Sequence, residues 1–270
     1  MKNIIKNTKK TIVIILSILF GLNLQAQVPT GHNLDFSTGG YLNWIGKTGN
    51  YDDGSNSQPI FNWTSTWVDP SLASDEGGRF FIVYNNGTDS YSAGQLPRVP
   101  EGFTHASQIN NEEGGADCSQ LQYTMEVNLD NCLLTFMYAM VLESPGHTGY
   151  ENPTFQIDIM KHSPDNGAML EELVDACAFF EKSSNAQLPT TEPELWHTSA
   201  TNSGWIWSNW QQIKINLARY IGDRVTIRVR LGDCSWSAHG GYGYFTAKAE
   251  PALISAPGCA GNGDTVTIAA

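Results

Sequence analysis

The residues best suited to chemistry fall in two stretches far apart in the chain. One holds Glu143, His147 and Glu151, and the other holds Asp233 and His239. Each directly follows a segment that reads as a central strand, so a β-fold could bring the two together. Joined, they could bind a metal ion or hold a fixed polar network. Carboxylates and carbonyls favour calcium, whereas imidazole favours zinc-class ions. The donor types alone therefore do not choose an ion. The favoured alternative is a set of loop-fixing hydrogen bonds, with both histidines donating to backbone carbonyls. A second group is aromatic. Trp196, Trp205, Trp207 and Trp210 crowd the entry to one strand, and Trp63 and Trp67 another. Trp205 and Trp207 share one face of an extended segment. Exposed, they would form a platform for stacking on sugar rings, because an amphipathic ring tolerates one wet side. Large aromatics are more often buried, so a core role is the favoured reading.

Reaction chemistry is poorly represented. No G-x-S-x-G, H-E-x-x-H or Walker loop occurs. Glycoside hydrolysis needs a carboxyl pair, and the alternating segments carry at most one acid each, Glu126 and Asp158 for example. The sequence predicts no catalytic residue.

The elements that would position these groups are strands. Leu121, Tyr123, Met125 and Val127 alternate with Gln122, Thr124 and Glu126, the pattern of a half-buried strand. Residues 132–142 are apolar on both faces, which requires a central strand covered on both sides. Phe155, Ile157 and Ile159 alternate, as do Ile213, Ile215 and Leu217, and Val225, Ile227, Val229 and Leu231. Gly241-Tyr242-Gly243-Tyr244-Phe245 reads as a last strand with glycines at close approaches. Only residues 169–178 have a helical look, and 174–180 could equally be a strand. Residues 49–58, 144–152 and 183–203 read as long loops, where binding groups usually sit.

The N-terminus carries Lys2, Lys6, Lys9 and Lys10 and no acid, then an apolar run from Ile12 to Leu24 and Ala26. This predicts a secretory signal peptide over residues 1–26, too short and interrupted for a spanning helix. Without those four lysines, 11 basic residues face 27 acidic ones, and the net charge falls from −12 to −16. Such a balance disfavours nucleic acid and anionic membranes as partners. No other segment reads as a membrane span. All five cysteines lie after residue 26, and in an oxidising compartment some would pair. No zinc-type cysteine spacing occurs. Residues 27–250 are expected to form one β-sandwich and 251–257 a linker. Residues 258–270 read as the first strand of a further domain.

Several segments together resemble a known family. Trp210 to Leu217, then Tyr220-Ile221-Gly222 and Val225-Thr226-Ile227, are similar to a stretch of MAM and concanavalin-like jelly-roll domains. Val141 to Thr148 resembles a second motif, with Ser144 where an acid is common. Gly232-Asp233-Cys234 with His239 to Tyr244 resembles a third, and Asn33-Leu34-Asp35-Phe36 with Trp44 resembles the family's first strand. In large secreted surface proteins of the Bacteroidota, such a domain precedes PKD or Ig-like repeats and a type IX sorting domain. The resemblance implies an all-β, antiparallel jelly-roll sandwich, followed at 258–270 by the start of an Ig-like or PKD-like domain. It implies a noncatalytic, secreted or surface-exposed binding or adhesion module whose partner is an extracellular glycan or surface protein. The alternatives are an accessory domain of a secreted hydrolase and a structural spacer. It also implies a structural Ca2+ near Asp35 and Asn33, with a strand-end hydrogen bond as the competing role, and a disulfide between Cys177 and Cys234. Cys118 and Cys132 are a candidate second pair, although a regular hairpin would not place them opposite each other.

Overall fold

The computed structural model describes residues 32–64, 78–84 and 87–251. The expected signal peptide, most of the linker, the expected second domain, Trp67 and Cys259 lie outside these residues. Fourteen strands occur among the described residues. In chain order they are β1 (Trp44–Asp52), β2 (Ile60–Trp63), β3 (Phe80–Tyr84), β4 (His105–Ile109), β5 (Asp117–Glu126), β6 (Leu133–Glu143) and β7 (Thr154–His162). Then come β8 (Met169–Leu173), β9 (Phe179–Ser183), β10 (Trp196–Thr198), β11 (Trp205–Ser208), β12 (Gln211–Asn216), β13 (Arg224–Gly232) and β14 (Gly241–Glu250). All pairings are antiparallel. One sheet runs β2-β1-β5-β13-β7-β8, with β9 also on β7. The other runs β10-β11-β6-β14-β4-β3, with β12 also on β6. The two form the expected all-β jelly-roll sandwich.

The side-chain pattern explains the layering. Leu134, Phe136, Tyr138, Met140 and Leu142 of β6 point inward and meet Leu121, Tyr123, Ile157, Ile227 and Val229 of the facing sheet. Ala139 and Val141 point outward into a second apolar layer with Leu96, Val99, Trp205, Trp207, Tyr242 and Tyr244. The double-sided apolar pattern of β6 is thus satisfied twice, by the opposite sheet and by a cover formed from residues 87–104. Aromatic contacts knit the inner layer. Phe36 stacks on Trp44 at 5.1 Å between ring centres, and Phe136 on Phe245 at 5.7 Å. Gly243 permits a close approach, since a Cβ there would lie 2.8 Å from the Phe155 ring.

Two local expectations are corrected. Residues 169–178 form no helix: β8 occupies 169–173, and a turn leads to β9. The loop expected at 49–58 is shorter, because β1 continues to Asp52 and pairs with β2. Asn128 to Asn131 form a turn that carries the chain from one sheet to the other, because β5 and β6 belong to different sheets.

The outer face of the first sheet is polar but ordered. Asp158 is buried and holds two arginines of the neighbouring strand. Arg228 Nε donates to Asp158 Oδ1 at 2.6 Å, and Arg230 bonds the other oxygen. Removing the carboxylate leaves Arg230 without its ion partner and Arg228 with only the exposed Glu171, a loss of about 3–5 kcal/mol. Asp158→Ala is therefore expected to cost about that much in urea unfolding. Removal of the exposed Lys248–Glu250 pair costs at most about 1 kcal/mol. Phe136→Ala, which opens a cavity between the sheets, is expected to cost about 3–5 kcal/mol in the same measurement.

Candidate functional site

The two stretches that follow β6 and β13 do meet. They lie at one end of the sandwich, stitched together with residues 53–56. Ser235 Oγ donates to Asp53 Oδ2 at 2.8 Å, and the Ser235 N–H donates to the Glu151 carbonyl at 3.2 Å. Asn56 Nδ2 donates to Thr148 Oγ1, and the Tyr150 N–H donates to Asn56 Oδ1. The Ser235 and Asn56 bonds hold the Asp53 carboxyl below its ordinary range.

The individual residues take different roles. Glu151 closes its own turn, accepting from the N–H and hydroxyl of Thr148. Glu143 Oε2 accepts from the Gly240 N–H at 3.2 Å. Asp233 is fully buried. Its Oδ1 accepts from Asn110 Nδ2 at 2.7 Å and from the Gly241 N–H. Burial raises its carboxyl well above the ordinary range. His147 and His239 face each other with ring centres 5.3 Å apart. Neither donates to a backbone carbonyl among the described residues, so the expected histidine-to-carbonyl bonds are not the arrangement found.

Cys234 joins this group. It was expected in a disulfide with Cys177, but both are free thiols, as are Cys118 and Cys132. The reason is position along β7. Cys177 precedes Ala178, whose carbonyl accepts from Ile159, whereas Cys234 lies just past Gly232, which pairs with Thr154. Five residues of strand separate those points by about 16 Å, and a disulfide spans at most about 7 Å between Cα atoms.

Asn33 and Asp35 bound a single 3-10 turn before β1. Both amide hydrogens of Asn33 donate to carbonyls, of Gly40 and Leu42, and its oxygen accepts from the N–H and hydroxyl of Thr38. Asn33 is a loop lock with no lone pair left for an ion. Asp35 Oδ1 accepts from the N–H and hydroxyl of Ser37 in a local turn.

Trp205 and Trp207 are 6% and 3% exposed. They take the favoured core role and form no platform for sugars: they belong to the outer apolar layer, where the cover packs on them, with the Tyr91 ring centre 4.5 Å from that of Trp205. Among the described residues, the tryptophan most displayed to solvent is Trp236, 64% exposed and stacked on His147 at 5.3 Å.

The cover creates a site that sequence reading missed. Between it and β14 lies a cleft of about 400 Å³, lined by Asp89, Tyr91, Arg98, Gln108, Glu112, Tyr242 and Tyr244 among others. Tyr242 and Tyr244 alternate along β14 and point outward. Their hydroxyls donate to the same oxygen, Asp89 Oδ2, at 2.7 and 2.8 Å. Asp89 Oδ1 accepts from the Ser92 N–H at 2.9 Å. Burial and the Asp89 charge push both phenols far up, so they remain donors. Arg98 Nε is shielded from solvent and has no hydrogen-bond partner among the described residues. The one available signal was the Tyr-Gly-Tyr alternation. Nothing in the spacing tells that Asp89, 153 residues away, would meet it.

No family model matches the sequence, and no curated protein does. Solved structures with a similar course of chain include a carbohydrate-binding module from the beta-sandwich superfamily, at 11% identity and TM-score 0.36 over 79% of this chain. This chain spans 59% of that structure. A family 11 carbohydrate-binding module from Clostridium thermocellum, in complex with a beta-1,3-1,4-mixed-linked tetrasaccharide, matches at 11% identity and TM-score 0.35, over 81% of this chain and 94% of that one. The enzymatically active domain of bacteriophage CBA120 tailspike protein 4 matches at 8% identity and TM-score 0.38, over 81% of this chain and 21% of that one. These likenesses extend to the β-sandwich alone.

Proposed function

We propose that this chain is a noncatalytic, exported glycan-binding module and that the cleft between residues 87–104 and β14 takes the sugar. The observation that carries this is the lining. A sugar hydroxyl both donates and accepts, and the cleft offers both. Arg98 brings a guanidinium to the lining, while Glu112 and Gln108 bring acceptors. Tyr91 supplies an amphipathic ring at the edge. The volume falls within the about 300–1,000 Å³ of sites that take small ligands. The acidic balance of the chain speaks against nucleic acid, and the lysine-rich apolar N-terminus supports export.

Asp89 and Glu112 share the cleft, which gives glycoside hydrolysis by this chain its one footing. The role of Asp89 speaks against it. Its oxygens already accept from two tyrosines and a backbone N–H, which makes it an anchor for the walls rather than a group free to exchange protons with substrate.

A glycan array probed with the chain, with and without calcium, tests the reading. Binding to at least one glycan family is expected, without release of shortened products. Binding to none would leave a structural spacer, and hydrolysis would make the chain an enzyme. Arg98→Ala is expected to weaken binding about tenfold or more, the worth of one charge-assisted hydrogen bond, as read by calorimetry. Asp89→Ala strands two buried hydroxyls, and a stability loss of about 2 kcal/mol or more is expected in urea unfolding.

A further inference from the structure

The group at the end of the sandwich has a composition that the glycan reading does not use. The donor atoms of His147, Cys234 and His239 all lie within 4.8 Å of one another. His239 Nδ1 and Cys234 Sγ are 3.5 Å apart. A tetrahedral zinc ion, with bonds of about 2.0 Å to nitrogen and about 2.3 Å to sulfur, separates such donors by about 3.5 Å. His147 needs only a small inward movement to complete a three-donor set. Its Nε2 is shielded from solvent and unpartnered among the described residues.

The scaffold holds these groups in place. The Cys234 N–H donates to the His239 carbonyl at 3.0 Å, and the Ser237 N–H donates back to the Cys234 carbonyl, closing a short loop between two ligands. Asn152 Nδ2 donates to the His147 carbonyl at 3.0 Å, fixing the third. The Trp236 N–H points at the sulfur, at 3.4 Å, as outer-shell donors to metal thiolates do. Cys234 is buried and the histidines half-buried, so the group is sheltered yet reachable.

We infer that His147, Cys234 and His239 bind one zinc-class divalent transition ion. One sulfur and two imidazoles select a borderline-soft ion and disfavour calcium and magnesium, which require oxygen ligands. Binding replaces the thiol S–H bond with a metal–thiolate bond and releases one proton to solvent. Three protein donors leave a fourth position to water or an external ligand. The ion would add a coordinate link between the loops after β6 and β13, which hydrogen bonds and the His147–Trp236 stack now join.

The test uses the reduced, chelator-treated full chain titrated with Co2+ and with Zn2+. One Co2+ per chain is expected, with a thiolate-to-metal charge-transfer band that Zn2+ abolishes and with quenching of Trp236 fluorescence. Cys234→Ser should remove the band, and His239→Gln should weaken binding by well over a hundredfold, more than an outer-shell partner is worth. Cys177→Ser, at an exposed thiol, should leave it unchanged. The inference is overturned if folded wild-type protein gives no thiolate band. It is equally overturned if the band survives Cys234→Ser or disappears with Cys177→Ser. The wild-type spectrum decides by itself should a variant fail to fold.

Discussion

The structure depends on the need to bury both faces of β6 and β14. Two central strands apolar on both sides cannot stand at the surface of a two-layer sandwich. One face is met by the opposite sheet. The other is met by residues 87–104, which bring Leu96, Val99 and Phe103 onto Ala139, Val141 and the two tyrosines of β14. Apolar area removed from water is worth about 25 cal/mol per Å², so this cover is a structural element in its own right.

The candidate cleft follows from the way the cover docks. A purely apolar cover would seal the sheet. Here the segment also carries Asp89, and the two β14 tyrosines reach it with their hydroxyls. Trp210 Nε1 donates to the Pro97 carbonyl at 2.7 Å, and Thr201 Oγ1 to the Ser90 carbonyl at 3.0 Å. The polar groups left over where cover and sheet part company, Arg98, Gln108 and Glu112, line the space between them. The group of His147, Cys234 and His239 has a different origin, in the loops that leave β6 and enter β14.

Much of this was legible in the sequence because strands write their faces with a period of two. The double-sided run at 132–142 implied a central, twice-covered strand. The positions of His147 and His239 after such strands implied that their loops could converge. What was not legible depended on which sheet each strand joins. The turn at 128–131 is readable, but that it carries the chain between sheets is not. Cys177 and Cys234 were paired by resemblance, and only the order of β9, β7 and β13 shows them at opposite ends of a strand. Trp205 and Trp207 share a face as expected. That the face is covered depends on a segment from an irregular stretch, rich in Ser, Gly and Pro, whose docking has no periodic signal.

Amide hydrogen exchange across residues 87–104 tests the central claim most directly. The N–H groups of Asp89, Ser92, Leu96 and Arg98 donate to the Leu96 carbonyl, Asp89 Oδ1, Ser92 Oγ and the Gly87 carbonyl. If this segment is the second cover of β6, these four amides exchange slowly, on the scale of the β6 amides, and Asp89→Asn speeds them while leaving β5 and β13 protected. Exchange at the rate of an open surface loop in the wild-type chain would contradict the account.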